Sequence, residues 1–471
     1  MISLKSMDRR DKVFLPVVLA AAAGSILFPA LITGVLASLL IFQLIRDRCS
    51  RYNSPLPLKL LLWGFFIRLP IITLLAVYSY LTGKEATIFG DSRLVLRVSS
   101  FAAQAFFGNF GPIQNSHLQP GFYGYSLINW AFGAIHFLFG YSPFLVMLVN
   151  VLAILLAGWL VFLITYRLTG RTDISSLALG LTVFMPSQIM WSINLLKEPL
   201  ITLSLTFILY LFVEMIALRR WWYLLPIILL CLPLGHMRSQ THYLAFLTVG
   251  LASLLFIPRR TWPGIVIMAA GALAIALKLG PSRIEQIYRQ TQASIVGYQN
   301  GFISTGGAIY VVIPHRLTYS GSGGGPLTLL ETLETYLKSL FYYLTSPNLL
   351  SNLSLTKIAA APQMIVWLGL LVFCFLPGVM YLLRFRLRLS GILIIYLFIF
   401  TSAMALYTGN EGAAFRQRDA LTPIFFIPMS IGFFNFTGWL SRHIKAATQK
   451  RMDGIKSGNT PAGIKNSPEI Y

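Results

Sequence analysis

The chain has 471 residues, 56% of them hydrophobic and only 11% charged, with a mean hydropathy of +0.71. That is more apolar surface than one soluble core buries, and it comes in runs about 20 residues long, so a polytopic membrane protein is expected. The 37 Lys+Arg against 15 Asp+Glu give a formal charge of +22, but the basic residues sit in short clusters between apolar runs, where they set orientation and meet anionic headgroups; nucleic acid is not expected as a partner.

The apolar runs begin before residue 20 and recur almost to the end, so the first is not a cleavable signal ahead of a soluble domain. Cys49, Cys231 and Cys374 lie far apart without C-x-x-C spacing, which indicates neither a disulfide framework nor a zinc site. Because Lys and Arg concentrate in short cytoplasmic loops, the clusters at Lys5 to Lys12, Arg46 to Lys59, Arg167 to Arg171, Arg219 with Arg220, Arg259 with Arg260, Arg384 to Arg388 and Arg442 to Lys456 are assigned to the cytoplasm.

In chain order, residues 1–57 read as a cytoplasmic N-terminus plus a tight membrane hairpin, interrupted by Gly24 and Pro29. Residues 58–280 form a transmembrane module. Its first span, Leu58 to Tyr80, carries the chain outward to a loop at 82–142. Within that loop the face Leu94, Val98, Phe101, Ala105 predicts a helix ending near Gly108. Parity allows only one crossing before Arg167. The Gly- and aromatic-rich Phe122 to Phe139 is therefore read as an interfacial helix, and Pro143 to Tyr166 as the span. Spans near 174–193 and 198–217 make a hairpin with outer tip "WSINLLKEP", and spans near 222–235 and 243–257 another with tip "GHMRSQTH". Residues 263–280 lead out to a large extracytoplasmic loop, 281–362, in which "STGGAIY" and "YSGSGGGP" read as loops and "LTLLETLETYLKSLFYYL" as a second interfacial helix. Spans near 363–383, 390–407 and 421–440 close the C-terminal part, and 441–471 is expected to be a disordered cytoplasmic tail. The expected fold is an all-α transmembrane bundle of about 10–12 spans with interfacial helices.

Charge is expensive at the membrane, yet the outer face gathers Asp91, Arg93, Arg97, His117, Lys197, Glu198, His236, Arg238, His242, Arg416, Arg418 and Asp419, mostly at helix ends or tight tips. Charged groups from several hairpins can converge on one cavity. Each also has a structural reading. Asp91 after Gly90 is placed to cap the following helix; Lys197 with Glu198 suits a solvated pair; Arg238 and His236 suit a topology signal; Arg416, Arg418 and Asp419 suit an ion pair as well as a phosphate clamp. Glu214 beside Arg219 reads as structural. There is no P-loop, no H-E-x-x-H and no G-x-S-x-G, and "GSGGGP" lacks the Lys-Ser/Thr that a phosphate loop needs.

The first outer loop opening on Gly-Asp, the segment "QPGFYGYSLINWAFGAIHFLFGYSP", the span "NVLAILLAGWLVFLITYRLTG", the tip "MPSQIMWSINLLKEP" and the ending "AAFRQRDALTPIFFIPMSIGF" together resemble the C-type (GT-C) superfamily of membrane glycosyltransferases. The likeness covers Leu58 to Leu440. It implies transfer of a sugar, with inversion, from a polyprenyl-phosphate-linked donor in the plasma (inner) membrane to an acceptor glycan, lipid or protein on the extracytoplasmic side. It implies that Asp91 is the catalytic base, with Glu198 and Asp419 as secondary acids. Lys197, Arg238, Arg416 and Arg418 would bind the donor phosphate, and Arg93, His117 and His236 would line the substrate groove. Many relatives carry a second acid near the first; here only Glu85 precedes it. No cofactor is expected, and a divalent metal is not indicated. Two rivals remain. An O-antigen-type polymerase or ligase would depend on Arg283, Arg289, His315 and Arg316, and a flippase or transporter of lipid-linked glycans would use broken helices.

Overall fold

A computed structural model of the protein describes residues 29–49, 52, 54–82, 90–111, 126–256, 285–286, 289–301, 310–318, 327–348 and 355–456. It is an all-helical bundle. Among the described residues, five helices are long and apolar enough to cross a membrane: Leu56–Ser79, Pro143–Thr169, Glu198–Leu218, Ala360–Leu387 and Leu389–Leu406. Two bent pairs raise the number to seven if each is one span: Thr172–Phe184 with Pro186–Ser192, bent by 54°, and Glu411–Asp419 with Thr422–Gly438, bent by 67°.

The 10–12 expected are counted over the whole chain, the five to seven over the described residues alone. The hairpin read at 222–257 is built from Trp221–Met237 and Ser239–Phe256, the second 18 residues long, each below the ~20 residues that about 30 Å of hydrocarbon needs at 1.5 Å per residue. The first half of the N-terminal hairpin and the span read at 263–280 lie outside the described residues, as do "STGGAIY" up to Ile309 and "YSGSGGGP".

The helices are α1 (Pro29–Cys49), α2 (Leu56–Thr82), α3 (Gly90–Phe106), α4 (Ser126–Phe139), α5 (Pro143–Thr169), α6 (Thr172–Phe184), α7 (Pro186–Ser192), α8 (Glu198–Leu218), α9 (Leu224–Met237), α10 (Ser239–Phe256), α11 (289–301), α12 (Leu329–Thr345), α13 (Leu355–Leu370), α14 (Leu376–Leu406), α15 (Glu411–Asp419) and α16 (Thr422–Lys456). At the centre is α5, with 78% of its apolar window buried, packed by α2, α6 and α8. Its start follows from Pro143 at the first helical turn and its end from Gly170, left-handed at φ 70°, whose N–H closes on the Tyr166 carbonyl.

α3 and α4 pack together at Gly133, where a Cβ would meet that of Ala102 at 2.5 Å. The buried face of α3 is Ser92, Val95, Leu96, Val98, Ser99, Ala102, Ala103 and Ala105, with Leu94 41% exposed. The expected stripe is thus largely kept, since Val98 and Ala105 are buried and Phe101 packs against Val98 and Ala102; Leu94 departs from it, and the buried face widens toward small residues where Gly133 makes the close contact.

α12 opens with a capping box: Thr328 Oγ accepts the Glu331 N–H at 3.2 Å and Glu331 returns a bond to the Thr328 N–H at 2.8 Å. Its apolar positions Leu329, Leu333, Leu337 and Phe341 face outward, while Thr335, Ser339 and Tyr343 are buried. α14 changes direction at Arg386 (φ −142°), which separates the two spans on either side of it. α16 continues as helix to Lys456, through the first part of the tail expected to be disordered, because "HIKAATQKRM" is made of helix formers and the first glycine beyond it is Gly454.

The C-terminal spans cross backbone to backbone. A Cβ on Gly378 would lie 1.8 Å from the Pro428 carbonyl oxygen, and one on Gly432 1.8 Å from that of Cys374, which belongs to a π-helical turn at Leu371–Phe375. Gly378→Ala or Gly432→Ala must force these helices apart. Each is expected to cost about 3 kcal/mol or more, read as a lowered unfolding midpoint of the purified protein, whereas Gly250→Ala, whose Cβ meets nothing within 4 Å, leaves the midpoint unchanged.

Candidate functional site

The tip between α7 and α8 is fixed from below. Asn150, fully buried on α5, donates its side-chain amide to the carbonyls of Asn194 (2.7 Å) and Leu196 (3.0 Å). α8 then begins at Glu198 followed by Pro199, an order suited to a helix start because proline's missing N–H would be unpaired there in any case. Glu198 is therefore a carboxylate at the positive end of a helix dipole. Its Oε1 faces Arg238 Nη2 at 3.4 Å, from the end of α9, and Arg416 Nη1 at 4.0 Å, from α15. The Glu198 side chain is 3% exposed, against 12% for Arg238 and 30% for Arg416. Lys197, also buried, immediately precedes it. Two cations thus face one carboxylate, with a third, Lys197, next to it in the chain, and the group carries an excess of positive charge. Glu198 Oε2 and the hydroxyl of buried Tyr343 have no hydrogen-bond partner among the described residues. Burial pushes the Tyr343 phenol well above its usual range, against the pull of nearby Arg418 and Arg238, so it remains a neutral O–H.

Beside this cluster α15 turns into α16 at a buried junction. Asp419 accepts the indole N–H of Trp191 on Oδ2 at 2.8 Å, and its carbonyl accepts the Gln188 amide at 2.6 Å. Gln363 of α13 joins the same group, accepting the Ser187 N–H and donating to the Ser187 hydroxyl, both at 2.7 Å. Asp419 is 1% exposed and so is a structural acceptor in this arrangement. Arg418, expected among the phosphate-binding cations, is fully buried: it donates to the Leu344 carbonyl at 2.8 Å and lies over the rings of Trp367 and Phe415 at 4.8 and 5.3 Å. Its charge is held inside the protein, tying α15 to α12 and α13.

The 281–362 region docks on the same end. Gln299 donates to the carbonyls of Leu406 and Thr408, the Tyr310 N–H to the Gly409 carbonyl at 3.1 Å, and the Tyr310 ring stacks on Tyr342 at 4.7 Å. Lys357 pairs with Glu411 at 2.8 Å, both nearly buried.

Asp91 is the second residue of α3 and lies inside the helix; its side chain is outside the described residues. Arg93 is exposed on α3 and His236 exposed on α9, and His117 is outside the described residues. Of the residues bearing on a polymerase, Arg289 pairs with Glu285 at 2.6 Å on an exposed helical surface, and His315 is exposed; Arg283 and the Arg316 side chain are outside the described residues. His136, buried on α4, accepts the Ser142 N–H on Nδ1, and burial lowers its pKa to about 4, so it is a neutral structural group. At the opposite end of the bundle Arg167 pairs with Glu214 at 3.1 Å and Arg171 lies over Phe434, so the cations expected to be cytoplasmic are segregated from this cluster.

Sequence reasoning singled out Lys197, Glu198, Arg238 and Arg416, which the structure brings together, but passed over Arg68, Asn150, Gln188, Trp191, Gln363 and Lys357. Their shared signal is a polar side chain, or an indole N–H, in or beside an apolar run, where an unsatisfied group is costly. Among the described residues no cluster of His, Cys, Asp and Glu is arranged to hold a metal. Compared with known proteins, the chain matches no protein-family model and no curated protein.

Trp191→Phe keeps an aromatic ring but removes the pyrrole half of the indole together with the N–H that meets Asp419. Loss of this charge-assisted bond is expected to destabilise the protein by about 2 kcal/mol, measured by denaturant titration in detergent; a change within 0.5 kcal/mol contradicts the assigned contact.

Proposed function

We propose that the protein is a membrane glycosyltransferase that moves a sugar, with inversion, from a polyprenyl-phosphate-linked donor to an acceptor glycan, lipid or protein at the extracytoplasmic end of the bundle. The observation that carries this reading is the convergence of Arg238 and Arg416, from separate parts of the chain, on one buried carboxylate that directly follows buried Lys197. An excess of buried and half-buried cations at one end of an apolar bundle suits a membrane-borne anion. Arg offers two parallel N–H donors that match phosphate oxygens.

In the proposed reaction the acceptor hydroxyl attacks the anomeric carbon as its proton passes to a carboxylate. The bond from that carbon to the phosphate oxygen breaks, and polyprenyl phosphate departs with the electron pair. Arg238, Arg416 and Lys197 stabilise the charge that grows on the departing phosphate. Glu198 holds the two arginines in place, and the base role falls to Asp91, at the start of α3. Arg93, His117 and His236 remain candidates for the groove. The outward apolar face of α12 supports its lying in the membrane interface. An apolar groove of about 720 Å³, which runs along α6 from Asp173 to Pro186 and is closed by Gln363 and Phe434, suits a prenyl chain. The segregation of Arg167, Arg171 and Arg219 from the cluster supports a cytoplasmic opposite end.

A flippase reading draws on a different observation: two broken helices, α6–α7 and α15–α16, meet near this cluster. Transfer of radiolabel from polyprenyl-phosphate sugars in liposomes separates the two. Wild type is expected to transfer, Asp91→Asn to retain donor binding while losing transfer by about 10²-fold or more, and Arg238→Gln to lose a similar factor. Transfer is expected to persist in a chelator. Movement of unmodified donor across the bilayer, with no transfer and no effect of Asp91→Asn, contradicts the glycosyltransferase reading.

A further inference from the structure

Arg68 is the one side chain in the middle of α2 that an apolar span does not explain. It is fully buried, and among the described residues no carboxylate lies within ion-pair distance of it. Its guanidinium is spent on three acceptors. Nη1 donates to the Gly64 carbonyl of its own helix at 2.8 Å, Nη2 to the Val183 carbonyl at 2.7 Å, and Nε to the Ser192 hydroxyl at 2.8 Å.

The last two acceptors bracket the break between α6 and α7. In a continuous helix the Val183 carbonyl would take the Ser187 N–H, but that N–H goes to Gln363 Oε1 at 2.7 Å. Arg68 supplies the missing donor. Its second arm reaches Ser192, the last residue of α7, so one rigid fork fixes both ends of the bend. Gly64 makes the approach feasible: a Cβ there would stand 2.1 Å from Val183 Cγ1.

α7 in turn carries Gln188 and Trp191, whose bonds to Asp419 set the register of α15, and α15 carries Arg416, 4.0 Å from Glu198. We infer that Arg68 is a positioning residue: it locks the α6–α7 bend and, through Trp191, Gln188 and Asp419, sets the spacing of Arg416 and Glu198 in the cation cluster. The consequence for ligand affinity rests on the reading of that cluster as a phosphate site; the lock itself does not.

Lysine keeps the charge but reaches one acceptor, so the conservative change separates bridging from charge. The experiment compares full-length wild type, Arg68→Lys, Arg68→Met, Ser192→Ala and Trp191→Phe in nanodiscs, by hydrogen exchange and by binding of polyprenyl phosphate. Arg68→Lys and Ser192→Ala are expected to fold and to raise exchange in residues 186–197 and 411–421 while leaving α5 protected. Arg68→Lys is expected to weaken binding about tenfold, no less than Arg68→Met. The double variant Arg68→Lys with Trp191→Phe is expected to bind no more weakly than the worse single variant, because both break one chain of contacts. Unchanged exchange across 186–197 in Arg68→Lys and Ser192→Ala overturns the inference, and so do losses that multiply in the double variant. If wild type binds no polyprenyl phosphate, the phosphate reading fails, and the exchange result alone decides the lock.

Discussion

A helix that stops inside an apolar bundle leaves carbonyl and N–H groups that lipid cannot satisfy, so each must find a partner within the protein. Two helices stop in this way here, α6 at Phe184 and α15 at Asp419, and they answer each other. The broken ends are closed by Arg68 on the Val183 carbonyl, Gln363 on the Ser187 N–H, and Gln188 and Trp191 on Asp419. These partners come from three separate elements, Arg68 on α2, Gln363 on α13 and Gln188 with Trp191 on α7, so the junction is also what ties α2, α7, α13 and α15 into one body. A fully satisfied polar network in low dielectric is rigid, and losing one member leaves the others unpaired at a cost.

That rigidity has a chemical use. Lys197, Glu198, Arg238 and Arg416 sit on tips, where side chains are normally free to spread into solvent. Here the tips are held by Asn150 from below and by the Asp419 junction from the side, so the cations are kept close although they repel each other. Preorganised positive charge of this kind stabilises an anion without reorganising as charge develops. Arg418 and Asp419, two and three residues further along the chain, take no part in that surface. They are the buried mortar, and the division of labour within "RQRD" follows from helical phase: Arg416 is half-buried and Arg418 fully enclosed.

Much of this arrangement is legible in the sequence because it follows from cost. The long spans were readable from apolar runs bounded by basic clusters, and the start of α8 from "KEP". The gathering of Lys197, Glu198, Arg238 and Arg416 followed from sorting charges by side. Three features escaped for physical reasons. The breaks at Met185 and Ala420 look like ordinary span ends, since a proline or a polar triplet at a boundary reads the same whether the chain leaves the membrane or bends within it. The small-residue part of the α3 face, at Ser99, Ala102 and Ala103, depends on Gly133 of a different helix. Arg68 was hidden because a single charge scarcely alters the mean hydropathy of its run, although its cost marks it as the residue most in need of an explanation.

The most direct measurement is an electron cryomicroscopy structure of the full-length protein in nanodiscs with saturating polyprenyl phosphate. The account predicts phosphate density about 3 Å from the guanidinium groups of Arg238 and Arg416, with Glu198 still between them and the α6–α7 bend unchanged. Phosphate bound away from this cluster, or a cluster closed on itself while the ligand sits elsewhere in the bundle, would contradict it.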